Sequence, residues 1–344
     1  MSKSITIYDI AKEVGLSHTT VSQALRGLPC VKEETRARVQ ETAHRLGYRR
    51  NNFASSLRMG ASRQIALVPY SGSQSKLANL FDALQKMLDH EGYSLIQYPH
   101  LTMDNAQHIF AQILQGGYDG LITYLYSYQQ LKPFVAAFRE RRCPVVVIGR
   151  PTDMEHQAGL ITFDMANLAS LQEAMQTLHN LGHRRIVHIL TRRTVGSAQN
   201  LLIQEFVKAH GPAGWQSNFL LEKGGQPGLE EGRRTAERLL AERPGVTAVQ
   251  CPNDYFAMGL IRGLQDLGVE VPRELSVIGS DNQDFCEYMV PRLSSIEVGD
   301  YNAAPQIVAS LMEHLRQPEW SSLANRFELH SVFHRRASIG PTLA

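Results

Sequence analysis

The sequence predicts a small three-helix head joined by a short linker to a two-lobed α/β body with parallel sheets. Three observations lead there. Residues 6–46 carry helical apolar spacing in three short bouts, broken at Gly15 and again at Gly27 and Pro29. From Gln64 onward, β-type apolar runs alternate with helical ones, the pattern of parallel strands covered by helices on both faces. Charge divides in the same way. Residues 1–63 hold 11 Lys/Arg against 5 Asp/Glu, whereas the remaining 281 hold 24 against 28. A basic head on a mildly acidic body points to a polyanion partner for the head alone.

Within the head, Thr6 is a good N-cap for a helix over 7–14, with Ile7, Ile10, Ala11 and Val14 on one face. Gly15 supplies a tight turn. Ser17 can cap a second helix over 18–25, which buries Val21 and Leu25. A third helix runs from about Lys32 to Leu46 and buries Val39, Ala43 and Leu46. Two short helices joined by a glycine turn and supported by a third make a minimal helix-turn-helix unit. The exposed end of its second helix carries Ser17, His18, Thr19, Thr20, Ser22 and Gln23, polar side chains suited to base edges and phosphates in the major groove. Small helical hairpins also serve as protein-interaction modules, but the local positive charge favours DNA. Gln23 either reads a base, its amide matching adenine N6 and N7, or touches a phosphate.

The ordered run Thr6-Ile7-Tyr8-Asp9-Ile10-Ala11-Lys12-Glu13-Val14-Gly15-Leu16-Ser17, followed by Thr20-Val21-Ser22 and Leu46-Gly47-Tyr48, resembles the lactose-repressor (LacI/GalR) family of bacterial transcription factors. The resemblance continues through Asp119-Gly120-Leu121-Ile122, Leu181-Gly182-His183-Arg184, Asn253-Asp254, Ser276-Val277-Ile278-Gly279 and Pro291-x-Leu293-Ser294-Ser295-Ile296, nearly the whole chain. It implies a homodimer that binds a near-palindromic double-stranded operator and answers to a small-molecule effector. It also implies that residues 51–60 form a hinge helix, too short to be stable alone. There Asn51 would be the cap, Ala54 and Arg58 would contact DNA, and Leu57 would wedge into the minor groove. The plainer alternative packs Ala54 and Leu57 on the protein core. Where the family usually has proline before the asparagine, this chain has Arg50.

The expected organisation is a DNA-binding head over 1–49, a linker over 50–63 and an effector-binding and dimerisation body over 64–344. Strands are expected near 64–69, 93–98, 119–125, 144–149, 159–163, 185–190, 218–222, 246–250, 275–279 and 326–333. The first lobe spans about 64–160 and 291–335, and the second about 164–290. The resemblance makes the body periplasmic-binding-protein-like, with ligand held between the lobes. Asp281 lies at the carboxyl end of a strand, where open sheets bind ligands. By resemblance, Asp281, Asn253 and Asp254 would meet effector hydroxyls, although Asp254 could equally cap the helix that follows. The family's usual effector arginine aligns with Leu202, which argues against an acidic ligand. A neutral sugar or polyol is expected instead, stacked on Tyr70, Tyr124 or Tyr126, with Asn200 as a substitute contact.

Other classes are weakly supported. With 344 residues, 43% of them hydrophobic, the chain has enough apolar surface for about two domains and is no solvated coil. Asp9, Lys12 and Glu13 interrupt any early apolar leader, and no stretch approaches the ~20 apolar residues of a membrane span. The four cysteines form no C-x-x-C pair and no zinc-ligand spacing, so reduced thiols, a cytoplasmic location and no metal or cofactor are expected. Gly224-Gly225-x-x-Gly228 has Lys223 where a dinucleotide fingerprint needs its first glycine, and His90-Glu91 has Ser94 where a zinc helix needs histidine. An enzyme is therefore not expected. The alternative function is a cytoplasmic sugar-binding or sugar-metabolising protein without specific DNA binding.

Overall fold

The computed structural model describes residues 5–25, 30–46, 48, 62–69, 74–102, 104–125, 127–149, 157–164, 169–190, 208–209, 216–221, 228–297, 299–317, 319–323 and 325–343. The chain divides into two compact units, Met1–Ser62 and Arg63–Ala344.

The first unit contains α1 (Ile7–Val14), α2 (His18–Leu25) and α3 (Glu33–Arg45). Thr6 stays extended ahead of α1, and its N–H and hydroxyl both donate to Asp9 Oδ2, at 2.8 and 2.7 Å. Gly15 ends that helix with a φ of +67°, a conformation that costs a side-chain-bearing residue about 1–2 kcal/mol. Ser17 opens α2 by accepting the Thr20 N–H at 3.1 Å. The three helices close around Ile10, Ala11, Val21, Ala24, Val31, Val39 and Ala43. Ala24 fills the innermost place in α2 and Leu25 packs at its rim. The C-terminus of α1 is held by Arg38, which donates to the Val14 carbonyl at 2.9 Å, and by the Arg45–Glu13 pair at 2.8 Å.

The second unit is built on two six-stranded sheets. The first contains β1 (Gln64–Val68), β2 (Ser94–Gln97), β3 (Gly120–Tyr124), β4 (Val145–Ile148), β5 (Leu160–Asp164) and β11 (Arg326–Glu328), in the order β11-β5-β4-β3-β1-β2. All its pairings are parallel. The second contains β6 (Arg185–Leu190), β7 (Gln216–Leu221), β8 (Ala248–Gln250), β9 (Ser276–Ser280), β10 (Ser294–Glu297) and β12 (Val332–His334), in the order β12-β10-β9-β8-β6-β7. Only β12 runs antiparallel to its neighbour. Strands such as Val145–Ile148 are buried along their whole length because helices cover both faces, giving each sheet two cores.

The C-terminal part of the chain departs from the expected assignment. Residues 291–335 do not all return to the first lobe. Ser294–Glu297 pairs with β9 in the second sheet. The chain then crosses to the first lobe for the helix Ala304–Arg316 and for β11, and crosses back for β12. The single strand expected at 326–333 is therefore two strands in two sheets. A periodic pattern carries no sign of which sheet it joins. The strand at 294–297 escaped the reading because it begins with two serines. Both are fully buried, with their hydroxyls bonded inside the protein. The crossings touch one another. Ser170 and Ser331 hydroxyls lie 2.5 Å apart, and a Cβ on Gly299 would sit 2.1 Å from the His330 carbonyl oxygen.

In the second lobe, the helix Leu229–Glu242 packs on the helix Asp254–Asp266 with backbone touching backbone. A Cβ on Gly259 would lie 1.9 Å from the Leu229 oxygen, and one on Gly232 would lie 2.1 Å from the Phe256 oxygen. This contact sets the height of the second helix, whose first turn belongs to the site described next.

Candidate functional site

On the head, Ser17, His18 and Thr19 are exposed, while Thr20, Ser22 and Gln23 are half-buried along α2. Val21 and Ala24, fully buried, fix the opposite side of that helix to the core. Ser17 and Thr20 have a structural task first. Their hydroxyls lie 2.8 Å apart and cap the helix, leaving His18, Thr19, Ser22 and Gln23 to face outward. Thr6 is exposed but engaged with Asp9. Sequence reasoning missed Tyr8, which is 57% exposed and sets its ring 5.4 Å from that of His18. Its signal was available: Tyr8 falls off the apolar Ile7–Ile10–Val14 stripe, and an exposed aromatic on a basic domain needs a reason. The hinge positions Asn51, Ala54, Leu57 and Arg58 lie outside the described residues, as do Tyr70, Tyr126 and Asn200.

In the body, the carboxyl ends of β6, β8 and β9 gather polar residues. Asn253 caps the helix Asp254–Asp266, its Oδ1 accepting the Phe256 N–H at 2.8 Å. Asp254 takes neither of its expected roles. It is 0% exposed, and its carboxylate accepts the Gln283 N–H at 2.7 Å and the Ser295 hydroxyl at 2.6 Å. Sitting one residue inside the helix, its side chain turns toward the sheet. There Gly279 leaves room for it, since a Cβ on Gly279 would lie 2.1 Å from Asp254 Oδ1. Asp254 thus anchors the loop that carries Asp281. Asp281 itself is half-buried just past β9, its N–H donating to the Ile296 carbonyl at 2.8 Å. Tyr124 is only 5% exposed and belongs to the first lobe's apolar core, so it is not presented for stacking.

Three further residues at these strand ends escaped the sequence reading: His188, Gln250 and Ser280. They follow Ile186, Ala248 and Ile278 at a spacing of two, on one face of the second sheet. Gln250 Oε1 lies 3.3 Å from His188 Nδ1, and Gln250 Nε2 donates to the Cys251 carbonyl at 2.7 Å. Ser280 Oγ donates to the same carbonyl at 3.2 Å. Polar residues interrupting otherwise apolar strands were the available signal. Burial lowers the His188 pKa to about 4, the Gln250 contact opposing weakly, so the ring is neutral near pH 7. Burial likewise lowers His183 and His314. The unfolded chain takes up these protons first as pH falls below about 6.5, so stability is full above that pH and declines toward pH 4. His188 alone contributes about 3 kcal/mol of that loss. His188→Gln is expected to flatten the pH dependence of urea unfolding between pH 6.5 and 4.5. An unchanged slope would contradict this.

Burial pushes the Cys143 thiol up to about 12 and Cys251 well above its ordinary range, which makes both unreactive. Among the described residues, no cluster of three or more His, Cys, Asp or Glu side chains could hold a metal ion. No helix among them is long and apolar enough to cross a membrane.

Residues 6–51 match the family model for bacterial regulatory proteins of the lacI family, and residues 175–328 match the periplasmic binding protein-like domain. The probable HTH-type transcriptional repressor ExuR of Bacillus subtilis (strain 168) is 31% identical over 301 residues, covering 85% of this chain and 86% of that protein. In fold, the chain is similar to the lac repressor dimer bound to operator and the anti-inducer ONPF, with a TM-score of 0.78 at 20% identity, covering 98% of this chain and 100% of the other. A complex of the transcriptional regulator CelR with cellobiose gives a TM-score of 0.67 at 21% identity, covering 97% of this chain and 99% of that one. A helix-turn-helix head on a two-lobed body defines a DNA-binding transcriptional repressor with a ligand-binding domain. The chain belongs to the LacI family of bacterial regulatory proteins.

Proposed function

We propose that the protein works in the cytoplasm, without a catalytic role, as a homodimeric repressor on a near-palindromic operator. A small neutral sugar or polyol in the cleft between its lobes sets its affinity for that operator. One observation carries the reading of the head: the N-terminal half of α2 shows only polar side chains outward, while its other side is locked into the core. That is the build of a helix meant to enter a groove and touch base edges. A single head offers few such contacts, so two are needed for one specific site. Asp281, half-buried just past the carboxyl end of β9 on a loop that Asp254 anchors, supports a ligand rich in hydroxyls, since a carboxylate accepts two neighbouring O–H groups at once. The solved CelR relative holding cellobiose points the same way. Residues 50–63 are proposed as the hinge, with Leu57 as its wedge.

Selection of binding sites from random duplexes tests this. The expected product is a near-palindrome with A·T at the pair Gln23 contacts, because glutamine pairs its amide with adenine N6 and N7. Gln23→Arg is expected to shift that preference toward G·C by about 1–3 kcal/mol. Identical base preferences in both selections would reduce Gln23 to a positioning contact, and no enriched sequence at all would overturn the reading of the head.

A further inference from the structure

Just past β9, two consecutive non-glycine residues adopt left-handed backbone: Asp281 at φ +94° and Asn282 at φ +48°. Side chains at positive φ are costly, and a pair in succession persists only where the surroundings hold it. Here the hold is applied to Asn282. Its N–H donates to Ser295 Oγ at 3.0 Å, its Nδ2 donates to Glu297 Oε2 at 2.8 Å, and its Oδ1 accepts from the Arg336 guanidinium at 2.7 Å. Every hydrogen-bonding group of the side chain is thus claimed by a charged partner, the stronger kind of hydrogen bond.

The partners are themselves fixed. Arg336 donates through its backbone N–H to Ser294 Oγ and through a second guanidinium nitrogen to the Leu293 carbonyl, both at 2.8 Å. Its Nε donates to Glu287. Glu297 Oε2 also lies 2.6 Å from His334 Nε2. Their places in the chain matter. Glu297 is the last residue of β10, where the chain leaves for the first lobe, and His334 ends β12, which the chain enters on its return. The residue next to Asp281 is therefore gripped by Glu297, rooted where the chain leaves for the first lobe, and by Arg336, just beyond β12.

We propose that Asn282, clamped between Arg336 and Glu297, is a positioning residue: it sets the backbone from which Asp281 meets the ligand and ties that setting to the crossing that leaves the second lobe at Glu297. This rests on the reading of the cleft as a sugar site with Asp281 as a contact. The shape of the turn and the clamp are separable. Glycine takes left-handed φ without strain but offers no amide to Arg336 or Glu297.

The test is titration calorimetry of the full-length protein against cellobiose, D-glucose, D-galactose and D-ribose, with Asn282→Gly, Arg336→Gln and the double variant. Thermal melting and ligand-free binding to the selected duplex are measured alongside. For whichever sugar the wild type binds, each single variant is expected to lose about tenfold in affinity, the scale of one hydrogen bond to a charged group. The double variant is expected to lose no more than the worse single one, because both break one clamp. Ligand-free duplex binding stays as in the wild type. Asn282→Gly binding sugar as tightly as the wild type would overturn the proposal, since turn shape alone would then suffice. So would Arg336→Gln that melts earlier but binds sugar unchanged, because the arginine would then be purely structural. A wild type that binds none of the four sugars removes the sugar reading first and this proposal with it, an outcome distinct from a wild type that binds while its variants bind equally well.

Discussion

Asp254→Ala is expected to lower the stability of the body by about 3 kcal/mol. Asp254 has no exposed surface, and its two oxygens accept the Gln283 N–H and the Ser295 hydroxyl at 2.7 and 2.6 Å. Alanine would leave both donors buried without these acceptors, at about 1–3 kcal/mol each. It would also open a void against Gly279, where the carboxylate now fills the space a Cβ would need. Asp254→Asn separates the two effects. It keeps the volume, its Oδ1 can still accept the Gln283 N–H, and its Nδ2 can donate to the Ser295 hydroxyl, which rotates to accept, so most of the stability is expected to be retained. Urea unfolding followed by tryptophan fluorescence checks both variants. A loss below about 1 kcal/mol in Asp254→Ala would mean that the loop finds other acceptors. Because this loop carries Asp281, ligand affinity is expected to fall with stability. Asn282→Gly differs in that affinity falls while the Asp254 anchor, with its bonds to Gln283 and Ser295, stays in place.

Gly259→Ala is expected to cost a similar amount, about 3 kcal/mol, for the opposite reason. In an ordinary helix this change gains nearly 1 kcal/mol of propensity. Here the added methyl would lie 1.9 Å from the Leu229 carbonyl oxygen and 2.7 Å from its carbon. The obstacle is backbone, which has no rotamer to give. The Leu229–Glu242 and Asp254–Asp266 helices must separate, and overpacking of a close contact costs about 1–3 kcal/mol, occasionally more. Separation also lifts the capped first turn, with Asn253 and Asp254, away from the 281–284 loop. Gly232→Ala meets the Phe256 oxygen at 2.1 Å and is expected to behave alike. Thermal melting of the two variants decides the matter. A melting temperature equal to or above that of the wild type would show that the helix pair shifts without strain.

These two positions show how far local sequence reasoning reaches. The bounds of α1 and α2 were legible to the residue because their signals are local: the Thr6 and Ser17 caps, the Gly15 turn, and one apolar stripe per helix. The α/β alternation was legible for the same reason, since fully buried parallel strands read as short apolar runs. Sheet membership beyond residue 290 was not. Which lobe a strand joins depends on pairings such as Ser294 with Ile278 and Arg326 with Thr162, and no local pattern encodes them.

The site divides likewise. That Asp281 follows a strand could be read from Ile278-Gly279. That Asn253 rather than Asp254 caps the next helix could not, because both residue types cap well. Tyr124 reads as a ligand platform from its strand end, but the structure places it in the core. Arg336 sits 54 residues from the Asn282 it holds, so its task appears only in three dimensions.

The measurement that bears most directly on the whole account is operator binding by the full-length protein, followed by fluorescence anisotropy at fixed salt, because phosphate contacts make any affinity salt-dependent. A labelled near-palindromic duplex from the selection is titrated with and without the sugar that binds. Two chains per duplex, at least a hundredfold preference over a scrambled duplex, and a shift of about tenfold or more in operator affinity when sugar is present are expected. One chain per duplex, equal affinity for the scrambled sequence, or an operator affinity indifferent to a sugar that demonstrably binds would contradict this.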